Sequence, residues 1–400
     1  MRRAVFPVAL LVALSACALA AVAPGATAQT DAGTLTPIVV TALSDEPVVA
    51  ALGTDNALHV IYELQLVNPQ AVAVPVASVE VHSASPDIKV ATFAGDDLTA
   101  RLRHLDGSAV AVAVIDPGAT LFLFVDIALS SSDELPDALE HHVTVGDRSF
   151  VVAPVAVAPR RPTVLAPPVA GTSWVVTDGC CGPDASHRNT ILSTSDGFAV
   201  PTRFAVDLRQ MDEQGRFVVD DPTQAADYPG YGTLVFAVAP GQVVTTVDQF
   251  PEQVPGTVPP PGTFDAEHNE GNSVVIRLRN GTYASYGQLQ AGSVIVKPGA
   301  HVRRGQPIAK LGNSGNSSAP HLHFQLMSGP SVGADGLPFV LGAFGYAGQI
   351  DAARLAEQGL TGAYADNRVP TAQTRQRQLP LDLAILDFDA SSGTSGSPLV

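Results

Sequence analysis

The sequence predicts a mainly β protein, and three observations carry that prediction. Apolar residues alternate with polar ones over short runs, as in His59-Val60-Ile61-Tyr62-Glu63-Leu64-Gln65-Leu66, and a period of two belongs to a half-buried strand. The chain is 46% hydrophobic but only 6% aromatic, so its core must come mainly from Val, Ala and Leu, and the Val-rich alternation favours strands. The 35 glycines and 32 prolines break these runs at close intervals and supply turns. A length of 400 residues leaves room for two or three domains.

The first element is an export signal over residues 1–28. Arg2 and Arg3 precede the apolar run from Val5 to Leu14, and Ala26-Thr27-Ala28 forms a small-residue cleavage site. A second signal lies inside it, because Leu14-Ser15-Ala16-Cys17 matches a bacterial lipobox, in which Cys17 would be lipidated. Uncleaved, the run is long enough to anchor the chain in a membrane. Cleaved secretion, a lipoprotein and an anchor all place the rest of the chain outside the cytoplasm.

Residues 33–158 read as an N-terminal immunoglobulin-like β-sandwich. Val60, Tyr62, Leu64 and Leu66 share one strand face, and Leu121-Phe122-Leu123-Phe124-Val125-Asp126-Ile127 is a second clear strand. Turns at Asn68-Pro69, Asp106-Gly107 and Asp116-Pro117-Gly118 separate the runs at sandwich-like spacing. His59, His82, His104, His141 and His142 are scattered here without a catalytic constellation. Residues 159–170 form a Pro-rich, extended linker.

Residues 171–350 hold everything that looks chemical. Strands are expected over Arg203–Leu208, Leu234–Val244 and Ser273–Leu278, with a Pro-rich insertion between Val247 and Asn272 of the kind that walls a binding site. Residues 351–400 read as a tail that begins with a short helix, Asp351 to Glu357, and ends in a disordered stretch from Ser391 to Ser397.

The most informative segment is Pro320-His321-Leu322-His323-Phe324-Gln325-Leu326, which follows the turn-rich run Gly312-Asn313-Ser314-Gly315-Asn316-Ser317-Ser318. On a strand, His321, His323 and Gln325 share one face, while Leu322, Phe324 and Leu326 enter a core. Imidazole is the commonest metal ligand and general base. Other histidines in this region are His187, His268 and His301, the last two in a variable-looking loop and at an exposed turn. Asp207 falls on the polar face of its strand, opposite Phe204, Val206 and Leu208. Two histidines, one carboxylate and a position left to water are the usual donors of a catalytic zinc site. Cleavage after Ala28 would leave Cys180 and Cys181, which can close only a vicinal disulfide. Free thiols, that ring and a metal role near His187 all remain open.

Gly312-Asn313-Ser314-Gly315 followed by Pro320-His321-Leu322-His323-Phe324 resembles the zinc endopeptidases of the lysostaphin and LytM type, which cut peptide bonds in bacterial peptidoglycan. Pro298-Gly299-Ala300-His301-Val302 through Ile308, and Val235-Phe236-Ala237-Val238-Ala239-Pro240-Gly241, resemble hairpins of the same family. The resemblance covers about 171–350. It implies an antiparallel β metallopeptidase domain with a groove, a Zn2+ cofactor and a peptidoglycan peptide as substrate. By position it makes His187, Asp207 and His323 the zinc ligands and His321 the group that activates water or stabilises the transition state. Two departures stand out. The family's first His and Asp are usually four residues apart, whereas twenty positions separate His187 from Asp207. The family's Tyr-x-His-Leu aligns with Tyr286-Gly287-Gln288-Leu289, so a second catalytic histidine is replaced by Gln288, which can hold an oxyanion but cannot exchange a proton.

Two functions therefore stand side by side: a zinc metalloendopeptidase of the cell wall, and a degenerate, non-hydrolysing relative that binds wall peptide or regulates another hydrolase. A formal charge of −16 excludes nucleic acid as a partner, since no basic stripe could neutralise phosphates. Biotinyl or lipoyl carrier modules share such turns, but none of Lys89, Lys297 and Lys310 sits in the flanking context a carrier lysine needs. Membrane contact is expected only through Cys17 or an uncleaved signal. Oligomeric state leaves no trace in the sequence.

Overall fold

The computed structural model describes residues 35–388 apart from positions 45, 131–134 and 184. The export signal with Cys17, and the serine-rich end of the chain, lie outside the described residues. The protein is mostly β, as the alternation and turn density predict.

Two five-stranded antiparallel sheets make up the N-terminal region. One is built around Ala57–Val67 and Thr120–Ser130, which pair along their full length, and the other around Val74–Ala84 and Ala138–Val145. Val60, Tyr62, Leu64 and Leu66 of the first sheet meet Val79, Val81 and Val143 of the second in one apolar core. The Thr120–Ser130 strand is apolar on both faces, because Leu121, Leu123 and Val125 enter that core while Phe122 and Phe124 pack outward onto Ile191 and Val200. A near-continuous apolar run marks a sheet covered on both sides.

An eleven-stranded sheet, with two small two-stranded sheets beside it, dominates the rest of the described residues. Its centre runs from Gly171–Asp178 through Val206–Gln210, Leu322–Met327 and Tyr283–Gly287 to Ser273–Leu278 and Gly241–Val247, all antiparallel. Trp174, Leu208, Tyr286, Phe324 and Leu326 lie in its main core, which Val235 and Ile308 of a separate two-stranded ribbon cover. Within the 159–170 segment, Thr163–Leu165 pairs in parallel with the beginning of Phe339–Gln349. The described residues from Thr36 on form one compact unit.

Three local expectations change. The strand expected from Arg203 starts instead at Val206, and Arg203 is drawn into a buried ion pair rather than displayed beside Asp207. The run from Leu234 to Val244 breaks at Pro240 into two strands, Leu234–Phe236 and Gly241–Val247, which belong to different sheets. Residues 351–388 are not a tail. After the helix Ala352–Gln358, capped by the Asp351 carboxylate accepting from the Arg354 N–H, the strands Arg368–Gln378 and Ala384–Phe388 join the large sheet. Ala384–Phe388 lies between Phe339–Gln349 and Gly171–Asp178, so Ile385, Leu386 and Phe388 are buried.

His141 illustrates how the sandwich tolerates polar groups. Its Nδ1–H donates to the Ala153 carbonyl at 2.7 Å, which leaves Nε2 to accept from the Tyr62 hydroxyl at 2.7 Å. Burial pushes the imidazole down to about 4 despite the carbonyl, which favours the proton. An unfolded histidine titrates near 6.5, so between these values the unfolded chain binds more protons than the folded one. The stability from neutral His141 is therefore complete above about pH 6.5 and declines toward pH 4, by up to about 3 kcal/mol. Denaturant unfolding at pH 7.5 and pH 4.5 checks this. His141→Gln should show a smaller acid loss than the wild type; equal losses would rule the account out.

Candidate metal centre

Sheet register brings the first two groups together. Asp207 on Val206–Gln210 stands directly opposite His323 on Leu322–Met327, and His323 stands opposite Gly287 on the next strand. His323 Nδ1 lies 3.0 Å from Asp207 Oδ1. The third group arrives from outside the sheet, on the loop that leaves the end of Gly171–Asp178. His187 Nε2 lies 3.4 Å from Asp207 Oδ1, and the His187 and His323 rings meet edge to face with centroids 4.8 Å apart. One donor atom from each of His187, Asp207 and His323 lies within 4.8 Å of the other two.

His321 completes the cluster from the residue before the strand. Its Nε2 is 3.3 Å from Asp207 Oδ2, and its Nδ1–H donates to the Ala319 carbonyl at 2.8 Å. The turn-rich run before it is a brace. Ser317 Oγ donates to Asn313 Oδ1 at 2.6 Å, while the Asn313 side-chain amide donates to the Gln253 carbonyl at 2.9 Å. Asn313 N–H also donates to Glu252 Oε2 at 2.6 Å. The Pro-rich insertion is thereby tied to the histidine segment. Its far end, with Phe264, Asn269 and Glu270, lines a cleft of about 780 Å³ that also contains His187, Asp207, Gln288, His321 and His323.

The electrostatics centre on Asp207. Burial alone would raise its pKa, but the imidazoles of His321 and His187, and hydrogen bonds from His187 and His323, hold the carboxyl well below its usual range. The same charge acts back on His323. Burial lowers that imidazole, yet the Asp207 hydrogen bond and charge, helped by Glu270, outweigh it and push the pKa up to about 9. A site that stabilises a proton's charge at Nδ1 this strongly would also favour a cation there. For His321 burial wins over the attraction of Asp207 and brings the imidazole down to about 4, so it is neutral at pH 7.

Groups behind His323 set its tautomer. Gln325 Oε1 lies 3.0 Å from His323 Nε2, and Gln325 Nε2 donates to the Met327 sulfur, which fixes the amide so that oxygen faces the ring. An amide oxygen only accepts, so Nε2–H donates to Gln325 and Nδ1 is the nitrogen that would exchange its proton for a metal on the Asp207 side. Glu270 Oε1 is 3.9 Å from the same Nε2, and its Oε2 accepts from Ser285 Oγ at 2.7 Å. Glu270 escapes sequence inspection because it sits at the end of an irregular insertion. Only its place beside Gly271-Asn272, just before a strand, could have drawn notice.

Gln288 comes directly after Gly287, next to the Asp207–His323 row. It adopts a left-handed φ of 53°, held by its N–H donating to the Glu270 carbonyl and its carbonyl accepting from Gly312 N–H. Its side-chain Oε1 is buried without a hydrogen-bond partner, as is Nη1 of Arg209, another cleft residue. His268 instead pairs with Asp265, and His301 lies exposed on an edge strand. Cys180 and Cys181 are bonded to each other, which removes them as metal ligands. Imidazole nitrogens from two residues and one ionised carboxylate, converging in a buried cleft, fit a tetrahedral zinc ion with one position free.

Residues 223–333 match the sequence profile of Peptidase family M23. The match includes Gln288, His321 and His323 but not His187 or Asp207. Among solved structures, the catalytic domain of the antimicrobial peptidase lysostaphin from Staphylococcus simulans aligns at 20% identity, over 41% of this chain and 88% of that one, with a TM-score of 0.23. A zinc-containing peptidase from Vibrio cholerae aligns at 14% identity, over 72% of this chain and 85% of that one, with a TM-score of 0.25. The His-x-His strand and Tyr283–Gly287 beside it are thus part of a Peptidase family M23 domain spanning residues 223–333.

Proposed function

We propose that the protein is an exported zinc metalloendopeptidase that hydrolyses peptide bonds in bacterial peptidoglycan. The observation that carries this reading is the convergence of His187, Asp207 and His323 within 4.8 Å, with His321 on the same carboxylate and both His321 and His323 inside the M23 match. His187, Asp207 and His323 would hold the ion. Zinc, when bound, supplies a nucleophile at neutral pH by lowering the pKa of water to ~7, and acts as a Lewis acid toward a carbonyl.

The chain's own groups do the remaining work. His321 is neutral, and its Nδ1–H is committed to Ala319, so Nε2 is the lone pair in the cleft that can take a proton from the attacking water. The cleft wall made by the Pro-rich insertion would seat the peptide. Unpartnered polar atoms on Gln288 and Arg209 suit a substrate rich in backbone N–H and C=O groups. Gln288 can donate its amide N–H to a developing oxyanion. Export rests on the signal over 1–28, with Cys17 lipidation as the alternative to simple secretion.

One observation favours a second reading, a non-hydrolysing relative that binds wall peptide or regulates another hydrolase. Gln288 cannot carry a proton, and losing an acid–base group costs roughly 10²- to 10⁴-fold in rate. Retention of the whole donor set favours the enzyme.

Metal analysis of the purified protein should find about one zinc per chain, and His323→Ala should lose it. Gln325→Leu, which removes the acceptor behind His323, should weaken zinc binding about 10- to 100-fold in a chelator competition. The zinc-loaded protein should clear a peptidoglycan suspension and stop when the metal is chelated; no bound metal would sink the assignment. Gln288→His should speed clearing, by as much as about 10²-fold if a proton carrier is what the cleft lacks. Should the loaded wild type leave peptidoglycan intact while Gln288→His cuts it, the regulator reading replaces the enzyme.

A further inference from the structure

His187 itself bonds within its own region, its carbonyl accepting from Thr202 Oγ1 and its Nδ1 lying 3.3 Å from the Ala205 carbonyl, but the loop that bears it packs on the sandwich. The loop that bears it leaves the large sheet after Asp178 and returns at Val206, and its one hairpin, Leu192–Thr194 with Gly197–Ala199, is a separate two-stranded sheet. Its apolar side chains are buried against the N-terminal region. Ile191 and Val200 pack on Phe122 and Phe124, while Cys180, Cys181 and Phe204 share a cluster with Ala51 and Ile61.

At the centre of this contact is Glu63, on the outward face of Ala57–Val67 and fully buried. Its Oε1 accepts from Arg188 Nη2 at 2.8 Å and from Arg188 Nε at 3.3 Å, and its Oε2 accepts from Arg203 Nε at 2.7 Å. Arg188, also fully buried, donates further to the Tyr62 and Val125 carbonyls at 3.2 Å and to the Cys181 carbonyl at 2.8 Å. Asp335 lies 3.7 Å from Arg203 and balances the second cation. Arg103 adds another tie, donating to Asn189 Oδ1 at 3.1 Å and to the Pro183 carbonyl at 2.7 Å.

The positions of the two arginines matter. Arg188 is the residue after His187, and Arg203 lies four residues before Asp207. One carboxylate of the sandwich therefore grips both ends of the segment that joins two members of the donor set. We infer that the sandwich is a structural part of the metal centre, and that Glu63 is a positioning residue that holds His187 in register with Asp207 and His323. This role depends on the zinc site proposed for those three residues. A buried ion pair is poor proof of a stability role, because desolvation offsets its attraction. Its directed hydrogen bonds do specify geometry: three donors on two guanidinium groups leave the loop one way to sit.

The test uses the full chain and reads zinc affinity by competition with a chromophoric chelator, together with the Co2+ absorption spectrum. Glu63→Gln keeps the shape and removes the charge. It should weaken zinc binding by about 10-fold or more, in the range seen when groups behind metal ligands are lost, and should alter the Co2+ spectrum. Val143→Ala destabilises the sandwich from its other sheet and should lower Tm while leaving zinc affinity unchanged. If Glu63→Gln lowers only Tm and binds zinc as the wild type does, the inference is wrong. Should that variant fail to fold, Arg103→Gln puts the same question through Asn189 and Pro183: weaker zinc binding supports the inference, and wild-type affinity overturns it. A wild type that binds no zinc would instead overturn the metal site itself.

Discussion

A carboxylate buried in a protein must be surrounded by groups that stabilise its charge, and Asp207 sets the layout of the cleft through that requirement. Three imidazoles approach its two oxygens, two from one segment of the sheet and one from a loop. Register does the coarse work, since antiparallel pairing places Asp207 opposite His323 without any loop being needed. A slip of one residue would turn His323 into the core and Phe324 into the cleft. Phe324, packed on Tyr286 and Phe339, therefore contributes to the site by making that slip costly.

The loop between His187 and Asp207 packs against the N-terminal region through Glu63, Phe122 and Phe124. A ligand four residues from its partner is held by the turn that joins them. Twenty positions allow no such local control, and loop closure alone selects no single geometry. The missing restraint comes from residues distant in sequence. Phe122 and Phe124 supply apolar cover, Glu63 supplies charge, and Cys181 and Arg188 meet within the loop itself. The sheet that carries Glu63 is consequently buried on both faces, unlike an ordinary sandwich sheet with one face in water.

Much of this was legible in the sequence, and the features that were not share a cause. His321-Leu322-His323-Phe324 announces a strand with chemistry on one side, because alternation is a local property. Asp207 was legible for the same reason. Pairing between remote segments was not. Glu63 alternates with Ile61 and Gln65 on what reads as a polar face, and only the two-sided apolar run at Leu121–Val125 hints that a neighbour covers this sheet. Arg203 reads as a surface cation for lack of any sign of its partner 140 positions earlier. Ala384–Phe388 reads as tail because a polar strand and a serine-rich end flank it, although five residues with four apolar side chains suit a strand buried between two others.

Gln288 separates, in the proposed site, the groups that would hold a metal from those that would carry a proton. The backbone of this residue is constrained from two sides, by Glu270 and by Gly312, and its φ lies where few side chains rest without cost. That conformation delivers the next residue, Leu289, into the main core, where it is fully buried. Changing the side chain from imidazole to amide leaves that backbone duty untouched while removing a proton carrier. Glu270 does not replace what is lost, because its carboxylate is committed to Ser285 and to the back of His323, where it favours positive charge on the ring. His321 is left as the cleft's neutral imidazole beside Asp207, with Nε2 available to bond with water. In the proposed hydrolysis, proton traffic would then pass through one imidazole instead of two, and metal binding and turnover would respond to different residues.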